Sequence, residues 1–325
     1  MDGKGAVKEM GRYVLQRMVQ AVPTVIGLTL VSFLLVHITP GGPAYEMLGT
    51  HASHARVVAV DRELGLNLPL WDQYGIWAWQ LLHLNLGVSY FYLQPVVVLI
   101  EQALPVTLAI VGISYVLAHG IAVVLGSTQA YFKNTWFDHG TTGINYFLYA
   151  MPGFWLAILL LVWFAVDIPL FPTGNLCDPN TVCNVGTWAD HMVLPVASLT
   201  IGTVAGWARY MRASMTDTLV QDYIRTARAK GLSEVRVLFK HAWRNSVLPL
   251  ITLLGYFFPT IFGGALVIEE IFNIPGMGLL TFDAAIKRDY PIVMAAVLIG
   301  GILVVIGNLV ADLLYGLVDP RISYS

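Results

Sequence analysis

The residues best suited to polar chemistry lie in one strongly basic stretch, residues 221–249, which separates two long apolar segments. Six cations face only two acids there, namely Arg225, Arg228, Lys230, Arg236, Lys240 and Arg244 against Asp222 and Glu234. So many charges cannot lie in a hydrocarbon core, because each would lose its hydration. The stretch is therefore predicted to lie in water, and its chemistry is that of polar contacts.

Motifs for catalysis, nucleotide binding and metal binding are absent from the sequence. It has no GxxxxGK[ST], HExxH or CxxC pattern, so any nucleotide that powers this protein must bind another chain. An intramembrane enzyme needs converging polar side chains, yet His37, His119 and Asp167 fall on separate apolar segments without a recognisable spacing. No metal site is predicted, because no carboxylate or cysteine completes a ligand spacing around His51 and His54.

The apolar segments around the basic stretch predict a polytopic membrane protein. Hydrophobic residues make up 57% of the chain and charged residues 12%, whereas about a quarter of the residues in soluble domains are charged. A helix needs about 20 apolar residues to cross a bilayer. Charge-poor intervals predict six spans, at residues 18–38, 103–132, 140–166, 191–208, 245–268 and 291–317. Pro152 predicts a kink in the third span.

Residues 39–100 are predicted to form an external subdomain between the first two spans. The interval is polar but aromatic-rich, which suits a small domain outside the membrane or resting on its surface. Fourteen of the eighteen Lys and Arg residues lie before the first span, at Lys133, within residues 209–244 or at Arg321. Because positively charged loops favour the cytoplasm, we expect both termini and the basic loop to be cytoplasmic in a plasma (inner) membrane.

A second external loop, residues 169–190, contains both cysteines of the chain, Cys177 and Cys183. In an oxidising compartment they could form a disulfide, and otherwise they are two free thiols. The sequence leaves both possibilities open.

The basic loop divides at Gly231 into two predicted helices. Before the glycine, Ile224 and Ala227 are three residues apart. After it, apolar residues recur at helical spacing and Ser233 is placed to cap the second helix; the apolar residues are Val235, Leu238, Phe239 and Ala242. The pattern predicts helix, glycine turn, helix. A solvated loop that only satisfies membrane topology is the alternative.

The loop resembles a known motif. Residues 226–232, TARAKGL, are similar to the EAA loop of binding-protein-dependent ABC importers, in the form found in the dipeptide and oligopeptide permease family. Gly231 takes the glycine of the motif, while Arg225, Thr226 and residues 241–244 depart from its general pattern. Other segments also resemble the B subunits of that family, at residues 37–43, 63–66, 69–74, 104–108, 209–212, 221–231, 272–278, 288–291 and 312–315.

The resemblance implies an all-α polytopic membrane protein, the transmembrane domain of a type I ABC importer, with six transmembrane helices and an external insertion between helices 1 and 2. Residues 1–325 would form a single permease domain. The implied partners are a homologous second permease in a heterodimeric peptide pathway, two ATPase subunits or one fused ATPase, an external peptide-binding protein, and membrane lipid, with no nucleic acid. ATP and Mg would bind the ATPase partners, so this chain would be neither an enzyme nor a cofactor-binding protein.

The resemblance also implies that the cytoplasmic loop, residues 209–244, couples ATP hydrolysis to transport. Motion of cytoplasmic ATPases can reach the pathway only through a cytoplasmic contact, and this loop is the largest one. The predicted coupling residues are Tyr223, Arg225, Thr226, Ala227, Arg228, Ala229, Lys230, Gly231 and Val235.

Candidate pathway-lining residues are polar ones on or near the predicted spans, because a peptide backbone needs hydrogen-bonding partners. They are Asn145, Tyr149, Asn273 and Asn308, each of which also has a structural explanation. Nickel and glutathione remain open as alternative cargo. A secondary transporter is the other alternative, but the spans carry few of the intramembrane charges that such transporters use.

Charged residues near the ends of spans are expected to be solvated at the membrane interface. Glu269, Glu270 and Asp312 lie at such ends. Arg209 and Arg212 follow the fourth span and are expected to extend into the lipid headgroups.

Overall fold

The computed structural model describes residues 3–38, 48, 53–63, 65–177, 182–255, 257–263 and 265–318. Residues 39–47, 49–52 and 64 of the predicted external subdomain, residues 178–181 of the cysteine loop and residues 319–325 lie outside this range. The side chain of Asp312 also lies outside what the structure describes.

The described chain is helical, as the all-α prediction requires. The helices are α1 Gly3–Ile38, α2 His54–Glu63, α3 Leu70–Leu82, α4 Val96–Tyr131, α5 Trp136–Ala150, α6 Gly153–Leu161, α7 Val185–Leu219, α8 Asp222–Ala229, α9 Glu234–Arg236, α10 Trp243–Ser246, α11 Leu248–Leu254, α12 Phe257–Gly263, α13 Leu266–Ile271, α14 Met277–Ile286 and α15 Tyr290–Val318. Helices α6 and α9 continue into π-helical turns, at Val162–Asp167 and Val237–Ala242. The described residues contain no strand.

Three described helices are long and apolar enough to cross a membrane: α4, α7 and the segment Tyr290–Val310 of α15. Helices α5 and α6 are long and apolar enough only when they are counted together, as a broken span or a re-entrant loop, and Met18–Leu34 of α1 is a shorter apolar helix. Each of these lies on a predicted span. Helix α7 has 35 residues although the predicted fourth span has 18, because a charge-poor interval marks only the part of a helix inside the hydrocarbon.

Helices α4 and α7 form the centre of the fold and run parallel. The Ser114 hydroxyl donates to the carbonyl of Val196 at 3.3 Å near one end. Towards the other end, a Cβ built at Gly126 would lie 2.6 Å from the carbonyl oxygen of Ala208, so the backbones are in close contact there. The α4–α7 pair therefore has two distinct ends. At the loop end the helices end, at Tyr131 and Leu219, and α8 follows; at the opposite end both helices begin.

The third predicted span is broken rather than kinked. Helices α5 and α6 meet at an angle of 100°. Met151 between them is extended, with φ −74° and ψ 134°, and Pro152 takes the N-cap position of α6. A residue that precedes proline is pushed out of the helical region, which explains why the helix stops and starts again.

The fifth predicted span, residues 245–268, is not one continuous helix. It consists of the short helices α11 and α12 and the start of α13, of which α11 and α12 pack against α15. Pro249 lies in the first turn of α11, and Gly255 ends it. Prolines and glycines spaced through the segment interrupt the helical hydrogen bonds, so low charge alone gave the wrong prediction of a single helix.

At the opposite end, a buried carboxylate fixes the insertion that precedes α4. Asp289 is fully buried and accepts hydrogen bonds from the hydroxyl of Ser89 at 2.5 Å and from the N–H groups of Tyr90 at 3.2 Å and Phe91 at 3.1 Å. Asp289 lies between α14 and α15. This contact therefore attaches the turn before α4 to the start of α15.

Candidate functional site

Helix α8, the first arm of the basic loop, is fixed to the membrane domain by its apolar side. Ile224 and Ala227 are its buried residues, with exposures of 0% and 5%. They belong to one apolar cluster with Met211 and Met215 of α7 and Leu250 of α11. Helix α8 packs mainly on the π-helical turn Val237–Ala242, which in turn contacts α7. Because close-packed side chains transmit strain, a displacement of α8 would reach α7 through this turn.

A glycine turn ends α8 where the sequence predicted one. The N–H of Gly231 donates to the carbonyl of Arg228 at 2.9 Å, and the N–H of Leu232 donates to the carbonyl of Ala227 at 3.4 Å. These are the two hydrogen bonds of a Schellman motif. Gly231 has a φ of +75°, and a Cβ built on it would meet nothing within 4 Å. Backbone conformation, rather than lack of space, favours glycine here.

The outward face of α8 carries the predicted cations. Arg225 pairs with Asp222 at 3.4 Å on the surface, and Arg228 donates two hydrogen bonds to the carboxylate of Glu234, at 2.9 and 3.3 Å. Lys230 is exposed and forms no ion pair within the described part of the chain. The Arg228–Glu234 pair spans the glycine turn and so connects the two arms.

The other predicted residues of α8 are also at its surface. Thr226 and Ala229 are exposed. The hydroxyl of Tyr223 accepts a hydrogen bond from the side-chain amide of Asn245 in α10, at 2.8 Å. This bond is a second connection between α8 and the segment that leads into α11.

The second arm begins after Ser233, as predicted, but its buried face differs from the prediction. Ser233 is the N-cap residue of α9, although its side chain makes no capping hydrogen bond. Val235 and Phe239, predicted to lie on the apolar face, are each 65% exposed, whereas Val237 and Ala242 are fully buried. The wider π-helical turns place buried residues five apart, so the α-helical spacing used for the prediction was wrong here.

Arg212 does not extend into the headgroups as expected. Its Nε and Nη2 atoms donate to the two carboxylate oxygens of Asp138, at 2.6 and 2.7 Å, and Asp138 is fully buried. The pair joins α7 to the first turn of α5. A signal was present in the sequence, because Asp138 is the only acid between Glu101 and Asp167.

Arg209, one turn earlier on α7, stacks on aromatic rings instead of pairing with an acid. Its guanidinium carbon lies 4.6 Å from the ring centre of Tyr149, 5.8 Å from that of Tyr146 and 5.7 Å from that of Tyr210. Such cation–π contacts are favourable but leave the positive charge unneutralised. Whether Arg209 also reaches the headgroups stays a prediction.

Two of the four candidate lining residues come together around this arginine. A cavity of about 40 Å³ lies between α4, α5 and α7, and its walls include Asn145, Tyr149, Gln129, Arg209 and Arg212. Gln129 was not among the predicted residues. Its position on a charge-free interval gave no sign that it is fully buried beside the arginines.

The structure places the other two lining candidates elsewhere. Asn273 lies in the turn after α13, where its amide donates to the side-chain oxygen of Asn175 at 2.6 Å. Asn308 is exposed on α15. Neither residue lines the cavity around Arg209.

Cys177 and Cys183 form a disulfide in this structure. The loop that carries them packs on the turn after α13, because the N–H of Asn175 donates to the carbonyl of Phe272 at 2.8 Å. Gly174 approaches the same carbonyl so closely that a Cβ would overlap it. The disulfide therefore closes a loop that is already attached to the membrane domain.

Glu269 is buried rather than solvated at an interface, which corrects the expectation for this residue. It is fully buried, its Oε1 accepts from the Thr107 hydroxyl at 2.5 Å, and its Oε2 accepts from the N–H of Leu279 at 3.0 Å. Glu270, the next residue, is exposed as expected. Two adjacent glutamates look alike in sequence, and only the direction of the α13 side chains separates them.

No metal site is formed by the residues that the structure describes, since no three His, Cys, Asp or Glu side chains there are grouped to hold an ion. What the arrangement can do is mechanical and electrostatic. It presents a cationic helix at the loop end and connects it by packing to a polar cavity along α7.

Comparison with known proteins identifies the family. Residues 122–324 match the profile described as "Binding-protein-dependent transport system inner membrane component", and residues 10–111 match the N-terminal profile of the same kind of component. The chain is 40% identical to the oligopeptide transport system permease protein AppB of Bacillus subtilis over 316 residues, which cover 97% of this chain and all of that protein. It is 36% identical over 316 residues to a protein of Sinorhizobium fredii named "Probable peptide ABC transporter permease protein y4tP", again with 97% and 100% coverage.

These matches cover nearly the whole chain, and the described helices agree with a protein that is integral to a membrane. The chain therefore belongs to the family of binding-protein-dependent transport system inner membrane components, whose fold is the type I ABC importer transmembrane domain.

Proposed function

We propose that this chain forms a peptide uptake pathway together with a homologous second permease, as one half of the transmembrane part of an ATP-driven importer. The observation that carries the proposal is α8, a surface helix with exposed cations whose buried side packs on the second arm, Val237–Ala242, and belongs to one apolar cluster with residues of α7 and α11. The peptide and oligopeptide transport names of the relatives support peptides as the cargo.

The partners in this proposal supply the energy and the substrate. Two ATPase subunits, or one fused ATPase, bind ATP and Mg and dock on α8, while an external peptide-binding protein delivers the peptide. This chain holds no cofactor of its own. Arg225, Arg228 and Lys230 make the polar contacts with the ATPase, and Gly231 sets the direction in which the second arm leaves.

Coupling follows from packing. When the ATPases close on ATP, they push on α8, and the two buried residues Ile224 and Ala227 pass the displacement to α7 through the second arm, Val237–Ala242. Helix α7 is 35 residues long, about 50 Å at 1.5 Å per residue, so it reaches from the ATPase side through the bilayer. A rigid element with different contacts in two states is what such coupling requires.

The proposed orientation puts the loop end, with both chain termini, in the cytoplasm of a cell bounded by the plasma (inner) membrane. The insertion before α4 and the cysteine loop are then external, where an oxidising compartment favours the disulfide. Asn145 and Tyr149 line the cytoplasmic half of the pathway, Asn308 its wall on α15, and Asn273 its external mouth.

The proposal is tested by uptake of a defined radiolabelled peptide into vesicles that contain the complete complex, with and without ATP. We expect uptake only with ATP and the peptide-binding protein. Uptake driven by an ion gradient without ATPases would instead indicate a secondary transporter. ATP-dependent uptake of nickel or glutathione but not of peptides would reassign the cargo.

A further inference from the structure

We propose that Arg209 and Gln129 form a site for the C-terminal residue of the transported peptide, in which Arg209 binds the carboxylate and Gln129 accepts a hydrogen bond from the preceding amide N–H. This inference rests on the proposed function and adds a recognition site to the pathway. Its support is the charge, burial and hydrogen bonding of the residues that line the cavity between α4, α5 and α7.

The first observation is the unneutralised charge of Arg209. The carboxylate of this region, that of Asp138, already gives both of its oxygens to Arg212. Among the described residues Arg209 forms no ion pair, and its guanidinium carbon lies over the rings of Tyr149, Tyr146 and Tyr210. An arginine whose charge is not neutralised by an acid binds a carboxylate strongly, through charge-assisted hydrogen bonds.

The second observation is an unused acceptor in the same cavity. Gln129 is fully buried, its Nε2 donates to the Thr141 hydroxyl at 2.8 Å, and its Oε1 accepts no hydrogen bond from the residues that the structure describes. A buried acceptor without a partner costs free energy unless a ligand or water supplies a donor. The last residue of a peptide carries a carboxylate and an amide N–H on the same Cα, so it matches one cation and one acceptor placed together.

The third observation is the position of Arg209 along α7. Arg209 lies one helical turn from Arg212, about 4.5 Å further from the loop end along α7. An arginine within a membrane-spanning helix faces the interior of a helix bundle or a water-filled route, because exposure to lipid tails is too costly. Tyr146 and Tyr149 are 54% and 55% exposed at the cavity, so its opening is towards the outside of this single chain, where a pathway shared with a second permease would run.

The test compares two forms of one radiolabelled peptide, a free C-terminal acid and its C-terminal amide, each supplied already bound to the peptide-binding protein. Uptake is measured in vesicles containing the complete complex with ATP. We expect Arg209→Gln to lower uptake of the acid by about tenfold or more, since one charge-assisted contact is lost, and to leave uptake of the amide at the wild-type level. Arg209→Lys should retain part of the acid uptake.

Gln129→Leu gives a different expected pattern, because both peptide forms keep the amide N–H. It should lower uptake of the acid and of the amide by the same factor. Lys133→Gln, which removes an exposed cation from the turn before α5, is the matched control and should change neither. Basal ATP hydrolysis and co-purification with the ATPases show that each variant is assembled.

Two results would overturn the inference. Equal loss of acid and amide uptake in Arg209→Gln would mean that the arginine holds the second permease rather than the substrate, and unchanged uptake of both would mean that it has no role. Failure of the proposed function looks different, because wild-type vesicles would then show no ATP-dependent uptake of either peptide.

Discussion

Gly231 is the residue on which the geometry of the coupling loop depends. Its φ of +75° is strained for residues with a side chain and most of all for β-branched ones, although the space around it is open. We expect Gly231→Val to keep basal ATP hydrolysis but to reduce peptide uptake severalfold, because the second arm leaves α8 in another direction. The measurement is the ratio of peptide transported to ATP hydrolysed in reconstituted vesicles.

The matched control for that variant is Gly231→Asn, because asparagine tolerates the left-handed conformation much better than valine does. It should keep most of the wild-type ratio. If Gly231→Val couples as well as the wild type, the turn does not transmit motion and the assignment of α8 as coupling helix is wrong.

The Asp138–Arg212 pair makes a separate prediction about stability. Breaking a buried ion pair leaves one charge without a partner and typically costs about 3 kcal/mol or more. We therefore expect Asp138→Asn to lower the Tm of the detergent-solubilised complex, with Arg212→Gln and the double variant completing a mutant cycle. Additive losses in the cycle would show that the two side chains are not coupled.

At the scale of elements, Glu269 holds three helices together. Its carboxylate bridges Thr107 of α4 and Leu279 of α14 from its own position in α13, and the Thr107 hydroxyl also accepts from the N–H of Met277 at 2.8 Å. Gly276 passes so close that a Cβ there would overlap the carboxylate. The turn between α13 and α14 is thus built around one buried acid.

We expect Glu269→Gln and Gly276→Ala each to destabilise the permease by about 1–3 kcal/mol, the first because an amide replaces an acceptor with a donor and the second through overlap. Thermal unfolding of the purified complex measures both. Glu270→Gln is the matched control, since Glu270 is exposed and its change should leave the Tm unaltered. Equal effects at positions 269 and 270 would contradict this role for the buried carboxylate.

Sequence patterns predicted the elements that depend on local chemistry. The turn at Gly231 and the buried face of α8 follow from glycine conformation and helical spacing. Pro152 marked the position of a bend, although a kink was predicted where the helix stops and starts again. The patterns failed where contacts between distant residues determine the position of a side chain. No local sequence pattern shows that Asp138 pairs with Arg212, 74 positions away, or that the Glu269 side chain points into the protein. Val235 and Phe239 were misassigned because a π-helical turn changes the spacing on which the prediction relied.

At the scale of the whole molecule, the cysteine loop precedes α7 and the α8 loop follows it. The two loops therefore lie at opposite ends of one long helix. If the basic loop is cytoplasmic, reduced Cys177 and Cys183 must react with a membrane-impermeant thiol reagent in right-side-out vesicles. Ala229→Cys, in a chain with Cys177→Ser and Cys183→Ser, should react only in inside-out vesicles, because Ala229 is exposed on α8. The parent Cys177→Ser, Cys183→Ser chain has no cysteine and controls for background labelling. Labelling of Ala229→Cys from the outside would reverse the proposed orientation, and α8 could then not reach a cytoplasmic ATPase.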